Sequence, residues 1–580
     1  MKRPWRNWGL LRHGSQGLPP GTEHPLRRSP AGFGAAARIT AAGASAALVA
    51  AVVLTTAPVA GADSAPADPG NPATPVTVTA DALPTVQIDG VVWQQAIIGD
   101  TVYAVGKFNT ARPAGAASGS QTTTRKNILA FSLSTGKLVT TFNASLNAQG
   151  LTVAASPDGS RLYVGGDFTL VNGTAASRVV ALNPQTGAII PGWAPKVSAT
   201  VRAIVATPDT VYLGGMFSAV GSSTRSKLAA VRASDGGLLA WKPNAAGGRV
   251  NALVLAPDRS KLVAGGAFTT LNGSNRPGFG LGAVNATTGA SLATPVNDVV
   301  RNAGSNAAIT SLSSDGSNWY GTAYIFNARG GTGNLEGSFS ANWSNLGIKW
   351  IDDCHGDSYS MFASDTAVYK AGHSHYCLNL KGFPQTDPLS YHRALAYSKA
   401  ATGTLTRDTK GFPSFTGKPA PSLLTWFPDM DTGTATGQSQ GPWTVTGNSS
   451  YVVMGGEFKK VNLKGQQGLV RFAVRSIAPN KEGPVSSSSP INPALTSPSA
   501  GKIRVRWQSN WDRDNTSLTY KVYRDGALIN TQSKSTTFWN RPTMEFTDTV
   551  TAASTHQYRI VSSDVFGNTR TSATLSLKAK

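Results

Sequence analysis

Val201-Arg-Ala-Ile-Val-Ala-Thr-Pro-Asp-Thr-Val-Tyr-Leu-Gly-Gly-Met-Phe217 is an alternating strand, a turn and a second apolar strand ending in Gly-Gly-x-Phe. The same closing phrase stands at Gly165 to Phe168, Gly265 to Phe268 and Gly455 to Phe458. Phe168, Phe217 and Phe268 lie 49 and 51 residues apart. A period of that size marks repeated supersecondary units. Pro-Asp supplies the turn between the two strands: proline fixes φ, and the short carboxylate closes on its own backbone.

Working outward, a small-residue loop follows the phrase, then a third strand such as Ser226-Lys-Leu-Ala-Ala-Val-Arg232. A turn at Asp235-Gly236 leads to a closing strand with Trp-x-Pro, found at Trp193 and Trp241. Four short strands of period two in about fifty residues make the content of one propeller blade. Paired glycines suit a strand near a propeller axis, where neighbouring backbones approach closely, and the Phe beyond fills the wedge between blades. Degenerate copies run from Thr101 to Phe108, from Asn318 to Phe326 and from Thr366 to Ser374. Seven units over 85–478 predict a seven-bladed β-propeller, closed by pairing the segment around Val91 with the blade ending near Phe472. No stretch there keeps a helical period, so no helix is expected.

These units resemble the delta-sixty type of bacterial propeller repeat, found in large secreted proteins of actinobacteria and related organisms. The four intact phrases carry the resemblance; the fifth and sixth units depart from it. It covers about two thirds of the chain and implies a propeller, with no catalytic motif to carry over.

Upstream, residues 1–62 read as a leader. Lys2, Arg3, Arg6, Arg12, Arg27, Arg28 and Arg38 face one acid, Glu23, before an Ala- and Val-rich run and the small residues Ala60-Gly61-Ala62. That is the order of a signal peptide and its cleavage site, with a single membrane anchor as the alternative. Arg27-Arg28 hints at twin-arginine export, though Ser29-Pro30 follows where an apolar residue belongs. Residues 63–84 read as a solvated Ala/Pro-rich spacer, and 479–498 as a Ser/Pro linker overlapping the start of the next module. The final stretch, 485–580, alternates as a β-sandwich does. It is similar to a fibronectin type III domain, which implies Trp507 as the core tryptophan and Tyr558 as the tyrosine anchoring the late strand. The fold class is therefore all-β, a propeller followed by a fibronectin type III-like sandwich.

The net charge of +22 suits anionic partners such as teichoic acids, acidic polysaccharides or phospholipid head groups, or else serves solubility alone. No basic run is interleaved with aromatics, so nucleic acid is not expected, nor is a membrane span once the leader is cleaved. Cys354 and Cys377, the only cysteines, most simply form a disulfide in an exported chain. His355, Asp357, His373 and His375 surround them, and histidines two apart share a strand face, so a metal there is the alternative. Asp429-Met-Asp431-Thr-Gly433 begins like a calcium loop, but Gln440 stands where a bidentate Glu should close it. Asp512-Arg-Asp514-Asn515 reads as a turn. The expected cofactor set is none, with calcium as the alternative at these runs.

No Gly-x-Ser-x-Gly, His-Glu-x-x-His or phosphate loop occurs. A copper–tyrosine–cysteine oxidase would need a free thiol. The expected function is a secreted or envelope-associated, non-enzymatic binding or adhesion protein whose ring contacts an anionic envelope or extracellular polysaccharide. A polysaccharide hydrolase and a structural spacer of an exported assembly are the alternatives. The longest departure from the repeat, 378–443, is rich in aromatics. One face near it, with His373, His375, Phe412 and Phe415, is the expected ligand surface.

Overall fold

Seven main antiparallel sheets of three or four strands, with smaller sheets of two- and three-residue strands between them, follow one another along residues 91–473 in the computed structural model, which describes residues 71–326, 333–485 and 491–580. The leader, 1–62, and residues 63–70 of the spacer lie outside the described residues. Each sheet begins with one strand of a common set: Val91–Ile98, Gly150–Ala155, Val201–Ala206, Val250–Leu255, Ala307–Ser314, Ser358–Ala363 and Pro442–Gly447. Each of these packs against the first strand of the next sheet, and the last packs against the first. The chain is all-β and propeller-like. Among the described residues no helix is long and apolar enough to cross a membrane.

The order within a sheet corrects one expectation. The Gly-Gly-x-Phe strand is second, between the inner strand and a third: Val201–Ala206 pairs with Thr210–Gly215, which pairs with Leu228–Arg232. The first glycine of the pair makes room for the neighbouring sheet. A Cβ on Gly214 would stand 2.7 Å from Val250 Cγ1, one on Gly265 2.7 Å from Ile309 Cγ2, and one on Gly455 2.8 Å from Val92 Cγ1. In the first sheet Val105 holds this slot, and the facing residue of the second sheet is Gly150. The glycine has changed sides and the volume is conserved. Phe168, Phe217, Phe268 and Phe458 are buried against the preceding sheet, as the wedge reading requires.

At the outer end, a Tyr and a Trp of one sheet grip the next. Tyr163 and Trp193 lie 5.1 Å apart; Trp193 Nε1 donates to the Arg232 carbonyl and the Tyr163 hydroxyl to that of Ala233. Tyr212 and Trp241 repeat this on Ala286 and Asn285. Closure differs from the expected pairing near Val91. Residues 78–83 lie along the last sheet as its outer strand: the Thr79 and Leu83 amides donate to the carbonyls of Ala473 and Arg471. Val78, Thr79, Ala80 and Asp81 are buried, so this part of the stretch read as a solvated spacer is structural. A single helical turn, Val296–Val299, and a 3-10 turn, Leu378–Leu380, also depart from the helix-free expectation. Pro295 opens the first by fixing φ where a helix begins.

The C-terminal module has two sheets, one of Ala494–Thr496, Lys502–Gln508 and Thr543–Thr549, the other built on Ser517–Arg524 and Thr555–Ser563. Trp507 is buried beside Tyr520, and the Tyr558 hydroxyl donates to Asp548 at 2.7 Å. The module packs on the ring. Phe538 stacks on His392 at 4.2 Å and meets Phe383 and Phe427, while Asp514 accepts from the Ala80 amide. The start of the expected linker is bound too. Asp81 accepts from the Lys481 and Glu482 amides, and Glu482 pairs with Arg513 at 3.0 Å. Residues 486–490 of that linker lie outside the described residues.

Candidate functional site

Every inner strand carries one extra residue at the same repeat position. The register slips there in all seven sheets, at Trp93, Leu151, Arg202, Asn251, Thr310, Tyr359 and Trp443. A bulge of this kind re-aims a side chain that strict alternation would send elsewhere. The second glycine of the phrase sits against it: a Cβ on Gly215 would collide with the Thr200 carbonyl, and one on Gly266 with that of Arg249. The bulged side chains meet one another around the ring. Trp93 and Trp443 lie 5.1 Å apart, Tyr359 and Trp443 4.1 Å, and Arg202 Nε donates to Asn251 Oδ1 at 3.2 Å.

The variable residue of the phrase lies beside this circle in several sheets. Asp167 accepts from Gln149 Nε2 at 2.7 Å, and Gln149 Oε1 accepts from the Trp93 indole at 3.0 Å. Glu457, buried, accepts from the Trp443 indole at 3.4 Å and from the Thr436 hydroxyl at 2.6 Å. His373 and Tyr324 occupy the same slot in the sixth and fifth sheets. His373 Nε2 accepts from the Asp357 amide at 3.2 Å, which assigns the ring proton to Nδ1, 2.8 Å from Gln440 Oε1. The Tyr359 hydroxyl lies 3.1 Å from that nitrogen and donates to Asp357 Oδ2 at 3.3 Å. Burial holds His373 down at about 4, so it is neutral at physiological pH.

Asp357 and Glu336 interact directly, and burial raises both carboxyls, Glu336 further because it also faces the Asp357 charge. Each charge disfavours the other, so the pair resists full ionisation. Across the ring, Arg249 Nε donates to the same Asn251 oxygen as Arg202, at 3.0 Å, and the Arg249 charge acts on the Tyr324 phenol. One end of the ring thus carries an aromatic arc, a contacting acid pair and an arginine pair. Aromatic faces beside fixed amides and carboxyls can stack sugar rings and bond their hydroxyls.

The residues expected from the sequence divide. His373 belongs to this site. His375 sits beside Tyr391 at 6.0 Å and Phe412 at 6.4 Å, and Tyr391, exposed, also meets His373 at 5.5 Å. Phe412 stacks on His355 at 3.9 Å, and Phe415 is buried in the core. His355 turns away to Asp408 at 2.7 Å, so it does not converge with Asp357, His373 and His375. Among the described residues no group of three His, Cys, Asp or Glu side chains is arranged to hold a metal. Cys354 and Cys377 form a disulfide with Cα atoms 4.3 Å apart, stapling the fifth sheet to the sixth. In the acidic runs, Asp431 accepts from the Lys459 and Lys460 amides. Asp512 and Asp514 are buried beside Arg475 and the Ala80 amide, between module and ring. Tyr359, Trp93, Arg202, Arg249 and Glu336 escaped the sequence reading. For Trp93, Arg202 and Tyr359 the one signal is a residue that breaks alternation near the start of an inner strand; Arg249 and Glu336 lie outside the strands and carry none.

No family model matches the chain, and no curated protein matches it. Solved structures that align with it include a chain of the mitotic checkpoint complex, with TM-score 0.38 and 12% identity over 69% of this chain and 97% of that one. Another is the extracellular domain of a hybrid two-component system of B. thetaiotaomicron, with TM-score 0.34 and 8% identity over 87% of this chain and 59% of that one.

Proposed function

We propose that the chain is a secreted glycan-binding protein: a seven-bladed propeller of the delta-sixty kind with a fibronectin type III-like module docked on its side. The leader is read as a cleaved signal peptide, and the disulfide is compatible with an extracellular or envelope location. The observation that carries the binding role is the run of bulged aromatics: Trp93 and Trp443 are partly open, Tyr359 is buried behind them, and Gln149, Gln440 and His373 edge the run. Such a platform gives apolar area for sugar C–H faces and fixed partners for hydroxyls. The basic surface makes an anionic envelope or extracellular polysaccharide the proposed partner.

Glycan-array binding of the secreted chain, repeated with Trp93→Ala/Trp443→Ala, tests the reading. Retention of oligosaccharides by the native chain and its loss in a variant that still melts cooperatively is expected. No retained glycan, or retention unchanged in the variant, would leave the ring as a scaffold.

A further inference from the structure

Arg202 and Arg249 come from adjacent sheets and point their Nε donors at one neutral acceptor, Asn251 Oδ1, at 3.2 and 3.0 Å. Asn251 is itself fixed by donating Nδ2 to the Ile309 carbonyl at 2.9 Å, which turns its oxygen toward the two guanidinium groups. Among the described residues neither arginine takes part in an ion pair. The acid that acts on Arg202, Asp167, has its two oxygens occupied by Gln149 and by the Thr200 hydroxyl at 2.5 Å. Arg202 Nη1 is buried without an acceptor. Burial, and then the Arg249 charge, push Arg202 down to about 10. Two like charges held together beside an unfilled donor are unfavourable unless an anion completes them.

We infer that Arg202 and Arg249 form an oxyanion site that takes the carboxylate of a uronic-acid residue in a glycan seated on the bulge circle. This rests on the glycan reading above. The guanidinium fork matches a planar two-oxygen carboxylate better than a point charge would. Arg202 and the aromatic residues share one repeat position, so both address the same end of the ring.

The test is calorimetric titration of the secreted chain with oligogalacturonate, with the same oligomer after its carboxyls are reduced to alcohols, and with glycerol-phosphate oligomers. The acidic oligomer should bind at least about tenfold tighter than its reduced form, and that advantage should fade as salt rises. Arg202→Gln/Arg249→Gln should erase the advantage, so that the variant binds the acidic oligomer and its reduced form with the same affinity. Equal affinity for the two oligomers, or an advantage that survives the substitutions, overturns the site while the glycan reading stands. Binding of neither overturns both. An arginine-dependent advantage for glycerol-phosphate alone overturns the carboxylate assignment. Should the double variant fail to melt cooperatively, Arg249→Lys keeps the charge and should lose part of the advantage; an undiminished one overturns the fork.

Discussion

The indole Nε1 of Trp426 donates to the carbonyl of Thr79 at 3.1 Å, joining residues 347 positions apart. Tyr369, 5.0 Å from Trp426, accepts from the Val78 amide with its hydroxyl at 2.8 Å. The same Tyr–Trp grip ties the second sheet to the third and the third to the fourth. At the seam its target is the segment that arrives from the other end of the ring. The repeat therefore closes through its own inter-sheet contact, and Arg471 completes the seam by donating to the Pro84 and Leu133 carbonyls.

Trp426→Ala should destabilise the ring by about 3–5 kcal/mol, the usual cost of emptying a buried aromatic site. Removal of residues 63–83 should lower stability at least as far and expose the last sheet's edge to pairing with other chains. Urea unfolding followed by tryptophan fluorescence, with light scattering for aggregation, checks both. A truncated chain with an unchanged midpoint would show that the segment contributes no closure.

The architecture was legible in the sequence because it repeats. Period and the phenylalanine wedge follow from alternation and spacing around Phe168, Phe217 and Phe268, whereas the expected fourth strand forms in only two of the seven sheets and is reduced elsewhere to isolated contacts such as Phe131 with Leu138. Radial order was not legible. Alternation orders strands along the chain, whereas distance from the axis depends on which strand meets its neighbours, so the Gly-Gly strand was set one step too far in. The latch escaped because residues 78–83 are judged on composition until their partner, Arg471 to Ala473, is in place. The site escaped for a related reason. A bulge shifts the period by one and reads as noise in a single strand, and Arg202, Glu336 and Trp443 share no local motif. His373 was reached only through its neighbour His375, on an argument about strand faces.

The Lys370 ammonium lies 2.5 Å from Asp352 Oδ2, and both side chains are buried at the junction of the fifth and sixth sheets. The Ser338 hydroxyl donates to the same oxygen at 2.7 Å. Lys370→Met alone should cost about 3–5 kcal/mol, because it leaves a buried carboxylate without its partner. Asp352→Leu/Lys370→Met should cost much less, since two apolar residues can replace a buried pair. Chemical denaturation of the two variants decides the point; a double variant worse than the single would contradict it.

The Cys354–Cys377 staple should resist thiol labelling in the secreted chain unless a reductant is present. Replacing both cysteines with alanine should lower stability by on the order of 3 kcal/mol, the closure entropy of a loop of this size. Equal stability with and without reductant would mean that the sheet junction is held by the Asp352–Lys370 cluster alone.

Asp353 is buried beside Asp352, and burial first, then that neighbour, push its carboxyl up to about 8. A raised folded value means that its contribution is fully present below the unfolded value of 3.8 and is lost as pH rises through about 8. His373, His375 and His392, lowered to about 4 chiefly by burial, act oppositely: their contribution is present above 6.5 and lost on acidification. Between about pH 6.5 and 8 Asp353 should act together with the other raised carboxyls, Asp357 and Glu336, its own share of the fall reaching up to about 1.4 kcal/mol per pH unit. Asp353→Asn should make that limb shallower in urea midpoints measured across the window. The same slope in the variant would assign the trend to other groups.

Gly214 and Val250 face each other across the third and fourth sheets as Val105 and Gly150 do, with the roles reversed, across the first and second. The reversal in the native chain shows that the junction needs one side chain and one gap, on either side. Gly214→Val should therefore cost about 1–3 kcal/mol by overpacking against Val250. Val250→Gly should cost at least as much, through the cavity it leaves and the freedom it adds to an unfolded strand. Combined, the two should cost less than the sum of the single changes, with a coupling of about 0.5–3 kcal/mol in the stabilising direction. The comparison needs only four denaturation curves. Strict additivity would mean that the sheets adjust independently and that the Val105–Gly150 reversal is incidental; a favourable coupling would identify the glycine pair as an inter-sheet packing rule, separate from the second glycine's service to the bulge.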